Sequence, residues 1–275
     1  MLTTRDVAAQ FVAARKASRG FLDFPGEVPN TLERAYGIQA ATITEWPDAI
    51  CGWKVGRITG DVAEQLGADR FIGPIFEQSV IRAKPDTPFA AIPGGSAVFE
   101  AELIVVVGND GPTPHVTGSI EEAAMRVGSM HIGVEVAGSP LASMGRLGPL
   151  ATIAAFGGNN GLIIGPEIKD WQSHVPRDVW CRSIITDMVV GSAGAIAVPG
   201  GPLTAFAFAL KQAAALGHPL KRGAYVSTGA ITGMHDVEIG QRCSADFGPW
   251  GRLDCVVTPS PAAMAMEPAR RLPKP

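Results

Sequence analysis

At 275 residues the chain is long enough for one large domain or two small ones, and either arrangement can bury a substantial core. Hydrophobic residues at 46% against 18% charged exclude a disordered chain, and a net charge of −3 with scattered lysines and arginines leaves no basic face for nucleic acid. No apolar run approaches the ~18 residues of a membrane span, and the N-terminus lacks a secretory signal pattern, so the expectation is a cytoplasmic protein without a membrane partner.

In chain order, the first eighty or so residues read as helical. Thr4 can cap a helix to about residue 17 that places Val7, Phe11 and Ala14 on one stripe. Phe24-Pro25-Gly26 reads as a loop, and Thr31 can cap a second helix with Leu32, Ala35, Tyr36, Gln39 and Ile43. A short helix over 61–66 should stop at Gly67. From Phe89 the texture changes to apolar β-type runs, at 99–107, 131–136, 161–164, 179–190, 225–228, 237–239 and 253–257. Two helices interrupt them. One has the capping box Ser119-Ile120-Glu121-Glu122; the other, apolar all round and so expected to be buried, starts at Pro202 and stops before Gly217. With 33 glycines and 22 prolines mainly in the turns of this β region, and no strict βαβ alternation, a Rossmann-type sheet is disfavoured. Cys51, Cys181, Cys243 and Cys255 form no CxxC and read as mostly buried thiols.

Residues two apart on a strand share a face, so Glu100 and Glu102 point the same way at the mouth of the apolar run 103–107. Two adjacent carboxylates repel unless one is protonated or a cation lies between them. Glu135 sits between Val134 and Val136, where an unpaired carboxylate is costly. Three oxygen donors without Cys or a helical His pair suit Mg²⁺ or Mn²⁺ better than Zn²⁺. A solvated strand face fits the Glu-x-Glu pattern as well. Lys54, in Gly52-Trp53-Lys54-Val55-Gly56, fits either a shaped site or a surface lysine with a snorkelling stem. His131 and His235 lie in or beside β-type runs and read as ordinary hydrogen-bonded histidines that could also line a cleft.

The segments Tyr36-Gly37-Ile38-Gln39, Gly52-Trp53-Lys54-Val55-Gly56, Glu100-Ala101-Glu102, Gly133-Val134-Glu135-Val136, Gly200-Gly201-Pro202-Leu203 and Ser227-Thr228-Gly229 occur in a telling order and spacing. Over residues 36–228 the chain thereby resembles the 2-keto-4-pentenoate hydratase branch of the fumarylacetoacetate hydrolase superfamily. The resemblance implies an α+β fold with a β-roll and sandwich core and flanking helices; the pattern along the chain divides it into a helical region (1–85) packing on a catalytic body (86–260), and a tail (261–275) whose lack of periodicity predicts flexibility. The resemblance further implies a homo-oligomer and Mg²⁺ or Mn²⁺ bound by Glu100, Glu102 and Glu135. Lys54 matches the active-site lysine, Glu77 an acidic position of relatives that could activate the added water, and Ser227 and Thr228 their substrate-contacting loop.

The implied activity is hydration of a 2-hydroxy-2,4-dienoate, or its 2-oxo-4-enoate tautomer, to a 4-hydroxy-2-oxo acid, chemistry typical of aromatic-compound catabolism. Decarboxylation of a 2-oxo-3-enedioate is the alternative. Acylpyruvate C–C hydrolysis ranks third with a catalytically silent 2-oxo-acid binder, because the hydrolases' N-terminal His/Glu dyad is missing: no histidine precedes His115. Two departures concern the substrate tail: Ala137-Gly138-Ser139-Pro140 replaces an Asp-Ser-Arg-like stretch, and Asn159-Asn160-Gly161 keeps only part of a polar one.

Overall fold

The structure, a computed structural model, describes residues 2–110, 116–175 and 177–262. The chain begins with α1 (Thr4–Lys16), α2 (Leu32–Glu45), β1 (Ile50–Arg57), α3 (Asp61–Leu66), β2 (Arg70–Phe76), β3 (Val80–Arg82) and β4 (Thr87–Ala91). There follow β5 (Ser96–Val107), α4 (Ile120–Arg126), β6 (Val127–Ser139), α5 (Met144–Leu147), α6 (Pro149–Ala154), β7 (Asn159–Glu167) and α7 (Trp171–His174). The last part comprises β8 (Trp180–Ile185), β9 (Met188–Gly194), α8 (Gly201–Ala215), β10 (Tyr225–Ser227), β11 (His235–Asp236), β12 (Arg242–Asp246) and β13 (Arg252–Pro259).

One sheet has the order β2-β1-β10-β5-β6-β7-β3, with β11 also pairing β5; the other runs β4-β13-β12-β8-β9. Although β2 and β7 are far apart in that order, they pack on each other, and Ile75, Ile104, Leu162 and Ile164 meet in one small cluster. The first sheet therefore curls into a roll with those residues inside. Its outer face presents Trp53, Phe99, Leu103 and Val134, which pack with Phe206 and Leu210 of α8 and with Cys243 and Leu253 of the second sheet. A further cluster joins Phe11 of α1 and Ile38 of α2 to Phe76 and Phe156. The architecture is α+β, a β-roll packed on a second sheet with flanking helices, as the sequence implied. All four cysteines are free, and no described helix is long and apolar enough to cross a membrane.

Several local expectations need correction. The region read as helical also contains β1, β2 and β3. Glycine is a poor strand former, and here it serves close approach: a Cβ on Gly52 would sit 2.3 Å from the Tyr225 carbonyl oxygen of β10, and one on Gly73 2.6 Å from the Gly157 Cα. Thr3, not Thr4, caps α1, because Asp6 stands three residues on and returns the hydrogen bond; the residue at that offset from Thr4 is Val7, which has no acceptor. The run at 179–190 is a hairpin, β8 and β9, turned by Thr186 and Asp187, both at positive φ. The partners of β13 are β12 and β4, and the run read at 237–239 is not strand; the short β11 lies just before it. Ser119 does accept from Glu122 N, but the Glu122 carboxylate turns to Thr117 and Gly118 rather than closing the box. Of the tail expected over 261–275, residues 263–275 lie outside those described.

Candidate metal centre

β5 and β6 form the longest ladder of the roll, and their register sets Glu100 directly opposite Glu135 and Glu102 opposite Gly133. Alternation does the rest: Phe99, Ala101 and Leu103 enter the main core, so Glu100 and Glu102 face into the roll beside Glu135. One oxygen from each of the three carboxylates lies within 4.8 Å of the others. Relative exposure is 6%, 0% and 0% for Glu100, Glu102 and Glu135, which leaves no solvent to screen their repulsion.

Lys54 enters from β1, 5% exposed, with Nζ 3.3 Å from Glu135 Oε1 and 5.3 Å from the centre of the Phe71 ring. Burial works to lower its pKa, but the three carboxylates, Glu135 foremost, outweigh this and hold the ammonium above its ordinary value. Burial first, then the charge of Glu135, pushes the Glu100 carboxyl up to about 7, with Lys54 opposing. Glu102 is raised well above the carboxylate range by burial, then by Glu135 and Glu100. With all groups ionised, three carboxylates and one ammonium sum to −2, the charge that one divalent cation neutralises.

The hydrogen bonds around the cluster orient it. Ser227 Oγ and the Gly229 N–H donate to Glu102 Oε2 at 2.6 and 2.8 Å, and Asn159 Nδ2 donates to Glu135 Oε1 at 3.1 Å. The remaining oxygens, Glu102 Oε1 and Glu135 Oε2, are buried without a hydrogen-bond partner. Carboxyl oxygens orphaned in a dry site are costly unless a proton or a cation takes them. An all-oxygen set with no Cys or His fits a hard ion such as Mg²⁺ or Mn²⁺, and an ion there would meet ligands already oriented from behind.

The chain matches no family model. Among solved structures, 4-oxalocrotonate decarboxylase from Pseudomonas putida G7, complexed with magnesium and adipate, aligns at a TM-score of 0.78 over 94% of this chain and 99% of that one, at 19% identity. Fumarylpyruvate hydrolase from Pseudomonas aeruginosa, in complex with Mn²⁺ and pyruvate, aligns at 0.52 over 76% and 89%, at 20% identity. Fumarylacetoacetate hydrolase from psychrophilic Exiguobacterium antarcticum aligns at 0.53 over 78% and 76%, at 15% identity. This chain has the fold of these enzymes.

In this fumarylacetoacetate hydrolase fold the roll gathers Lys54 and the three glutamates, with Ser227 behind Glu102. Thr228 is buried, and both its N–H and its hydroxyl are bonded to the Leu103 carbonyl, so it holds the β10 loop against β5. Glu77 is exposed in the turn after β2 and has no described hydrogen bond or ion pair with the cluster. His131 bonds to Ser129 Oγ and the Gly165 carbonyl, and His235 to Thr232; both are the ordinary hydrogen-bonded roles. Asn159 and the Gly229 N–H lie in segments already noted in the sequence, but their bonds to Glu135 and Glu102 are not legible there. The available signal for Asn159 was a polar pair, Asn159-Asn160, opening an apolar strand.

Proposed function

We propose that the protein is a lyase of the fumarylacetoacetate hydrolase superfamily that uses Mg²⁺ or Mn²⁺ to act on a small 2-oxo acid or its enol. The observation behind this reading is the buried cluster itself: three glutamates and one lysine, two units short of neutrality once all are ionised, with two carboxyl oxygens left unpartnered. Glu100, Glu102 and Glu135 would hold the cation, which supplies Lewis-acid neutralisation of charge developing on the substrate C2 oxygen. Lys54, kept protonated by the glutamates, would pair with the substrate carboxylate or move a proton between the C2 oxygen and the adjacent carbons. Ser227, Gly229 and Asn159 keep the carboxylates from turning, so little reorganisation is needed as charge moves.

Hydration is the first reading: water adds across the conjugated double bond of a 2-hydroxy-2,4-dienoate and yields a 4-hydroxy-2-oxo acid. Decarboxylation of a 2-oxo-3-enedioate is the second. It is favoured by the near full-length likeness to a decarboxylase and by the exposed position of Glu77, the sequence's candidate for activating water. Proton NMR of EDTA-treated protein reconstituted with Mn²⁺ or Mg²⁺ tests both, with a dienoate and an enedioate supplied in D₂O. A new 4-hydroxy-2-oxo acid supports hydration, and loss of CO₂ supports decarboxylation. If neither substrate reacts and C3 of a 2-oxo acid does not exchange, the enolate reading fails.

A further inference from the structure

A second polar arrangement lies outside the roll. Arg15 of α1 is only 8% exposed. Its Nη1 donates to the Asn159 carbonyl at 3.0 Å, and its guanidinium carbon stands 4.9, 5.5 and 4.7 Å from the ring centres of Trp46, Phe76 and Phe156. An arginine has five N–H donors, and this is its one described hydrogen bond. Among the described residues no carboxylate forms an ion pair with it. Trp46 adds another unmet donor, since its indole Nε1 is buried without a partner.

Arg15 and Trp46 line the same cavity of ≈ 270 Å³, together with apolar Phe76, Ile81, Ile92 and Val136. Asp48, the one carboxylate in the lining among the described residues, already accepts from the Ala49 and Gln78 N–H groups. The cavity falls just below the range of about 300–1,000 Å³ for drug-sized ligand sites, so its occupant is smaller. It is also distinct from the carboxylate cluster: Val136 belongs to the main-core face of β6 and Glu135 to the roll face.

We propose that this cavity binds a small carboxylate with an aromatic or branched aliphatic body, its oxygens accepting from Arg15 and the Trp46 indole and its body lying against Ile81, Ile92 and Val136. The chemistry is complementary on both counts. Unmet N–H donors around a buried positive charge call for anionic oxygens, and a planar guanidinium takes a carboxylate in two parallel bonds. The apolar walls reject a fully hydrated ion such as phosphate and favour an acid that has surface to bury. Burial lowers the Arg15 pKa to about 10, against an opposing effect of Asp48, so the side chain stays charged at neutral pH while its charge is poorly solvated.

The test uses the full chain treated with EDTA, which makes its outcome independent of the proposed metal chemistry. Calorimetric titration with benzoate is compared with titration by benzamide, a neutral analogue of the same shape. Benzoate should bind at least about tenfold more tightly, and Arg15→Met should remove about that factor. In ¹H–¹⁵N spectra, the indole N–H peak that disappears in Trp46→Phe should be the one that benzoate shifts in the wild type. Equal affinities for benzoate and benzamide, absence of benzoate binding, or a Trp46 peak that stays in place would each overturn the assignment. If Arg15→Met does not fold, the wild-type comparison and the Trp46 peak decide the matter without it.

Discussion

Stripped of divalent metal, the protein should lose stability as pH rises from about 4.5 to about 7, the interval between the ordinary Glu100 value and its buried one. Below this window the carboxyl is protonated in both folded and unfolded chains, and its position costs nothing electrostatically. Inside it the unfolded chain releases the proton while the folded chain keeps it, so each rise in pH favours unfolding. At about 1.4 kcal/mol per pKa unit, a rise from 4.5 to about 7 corresponds to about 3 kcal/mol lost by pH 7. A chain of this size melts roughly 2–4 °C lower per kcal/mol, which makes the fall about 6–12 °C. Glu102, raised by burial and then by Glu135 and Glu100, adds a decline of the same sign. Circular dichroism melts of EDTA-treated wild type and Glu100→Gln between pH 5 and 8 isolate the effect, since the variant lacks the titrating group. The wild-type curve should fall below that of the variant as pH rises, and added Mn²⁺ should restore most at the alkaline end, where the most charge is unmet. Parallel curves for the two proteins would refute the reasoning, because the cluster would then not be storing the charge its geometry requires.

Glu102→Gln and Glu135→Gln should each weaken Mn²⁺ binding in calorimetry and abolish most turnover while leaving the fold intact, since each removes an anionic donor and eases repulsion. Lys54→Met should lower kcat and kcat/KM together by about 100-fold; Mn²⁺ affinity should hold or rise, because the variant deletes a cation paired with Glu135. Asn159→Ala should cost about tenfold in Mn²⁺ affinity, read by the same titration, because Glu135 loses the amide that fixes its orientation. Gly73→Ala should lower the melting temperature by several degrees in chemical or thermal melts, since its Cβ would meet the Gly157 backbone at 2.6 Å and neither chain can step aside cheaply.

What could be read from the sequence follows the range of the interactions involved. Glu100 and Glu102 were legible because two-residue spacing on a strand is a local rule, and Glu135 because a carboxylate between valines conflicts with its surroundings wherever the strand lies. The caps of α2 and α8 and the stop of α3 at Gly67 depend on a few neighbouring residues and were found for that reason. β1 and β2 were missed because their local signal is poor: Gly52, Gly56, Gly73 and Pro74 disfavour strands, and β1 gains its place by pairing with β10, distant in the chain. The bond from Asn159 to Glu135 is hidden for a similar reason. The role of Asn159 is set by a cross-strand partner at an irregular point of the β6–β7 register, which no spacing rule reveals. Sequence position alone also could not show that Glu77 lies on the surface, because the turn after β2 moves it away from the strand faces.

The pairing of Glu100 with Glu135 in the β5–β6 ladder also limits how this chain can vary in length. A residue inserted or deleted within either strand beyond the carboxylates inverts the faces past that point, and an insertion between them sends one glutamate toward Phe99 and Leu103. Such a change strikes the core and the cluster at once, so no compensating substitution at a single position can rescue it. Across any lineage that keeps the chemistry, length changes should therefore accumulate outside these two strands, and the spacing from Glu100 to Glu102 should outlast the identity of nearly every side chain around it.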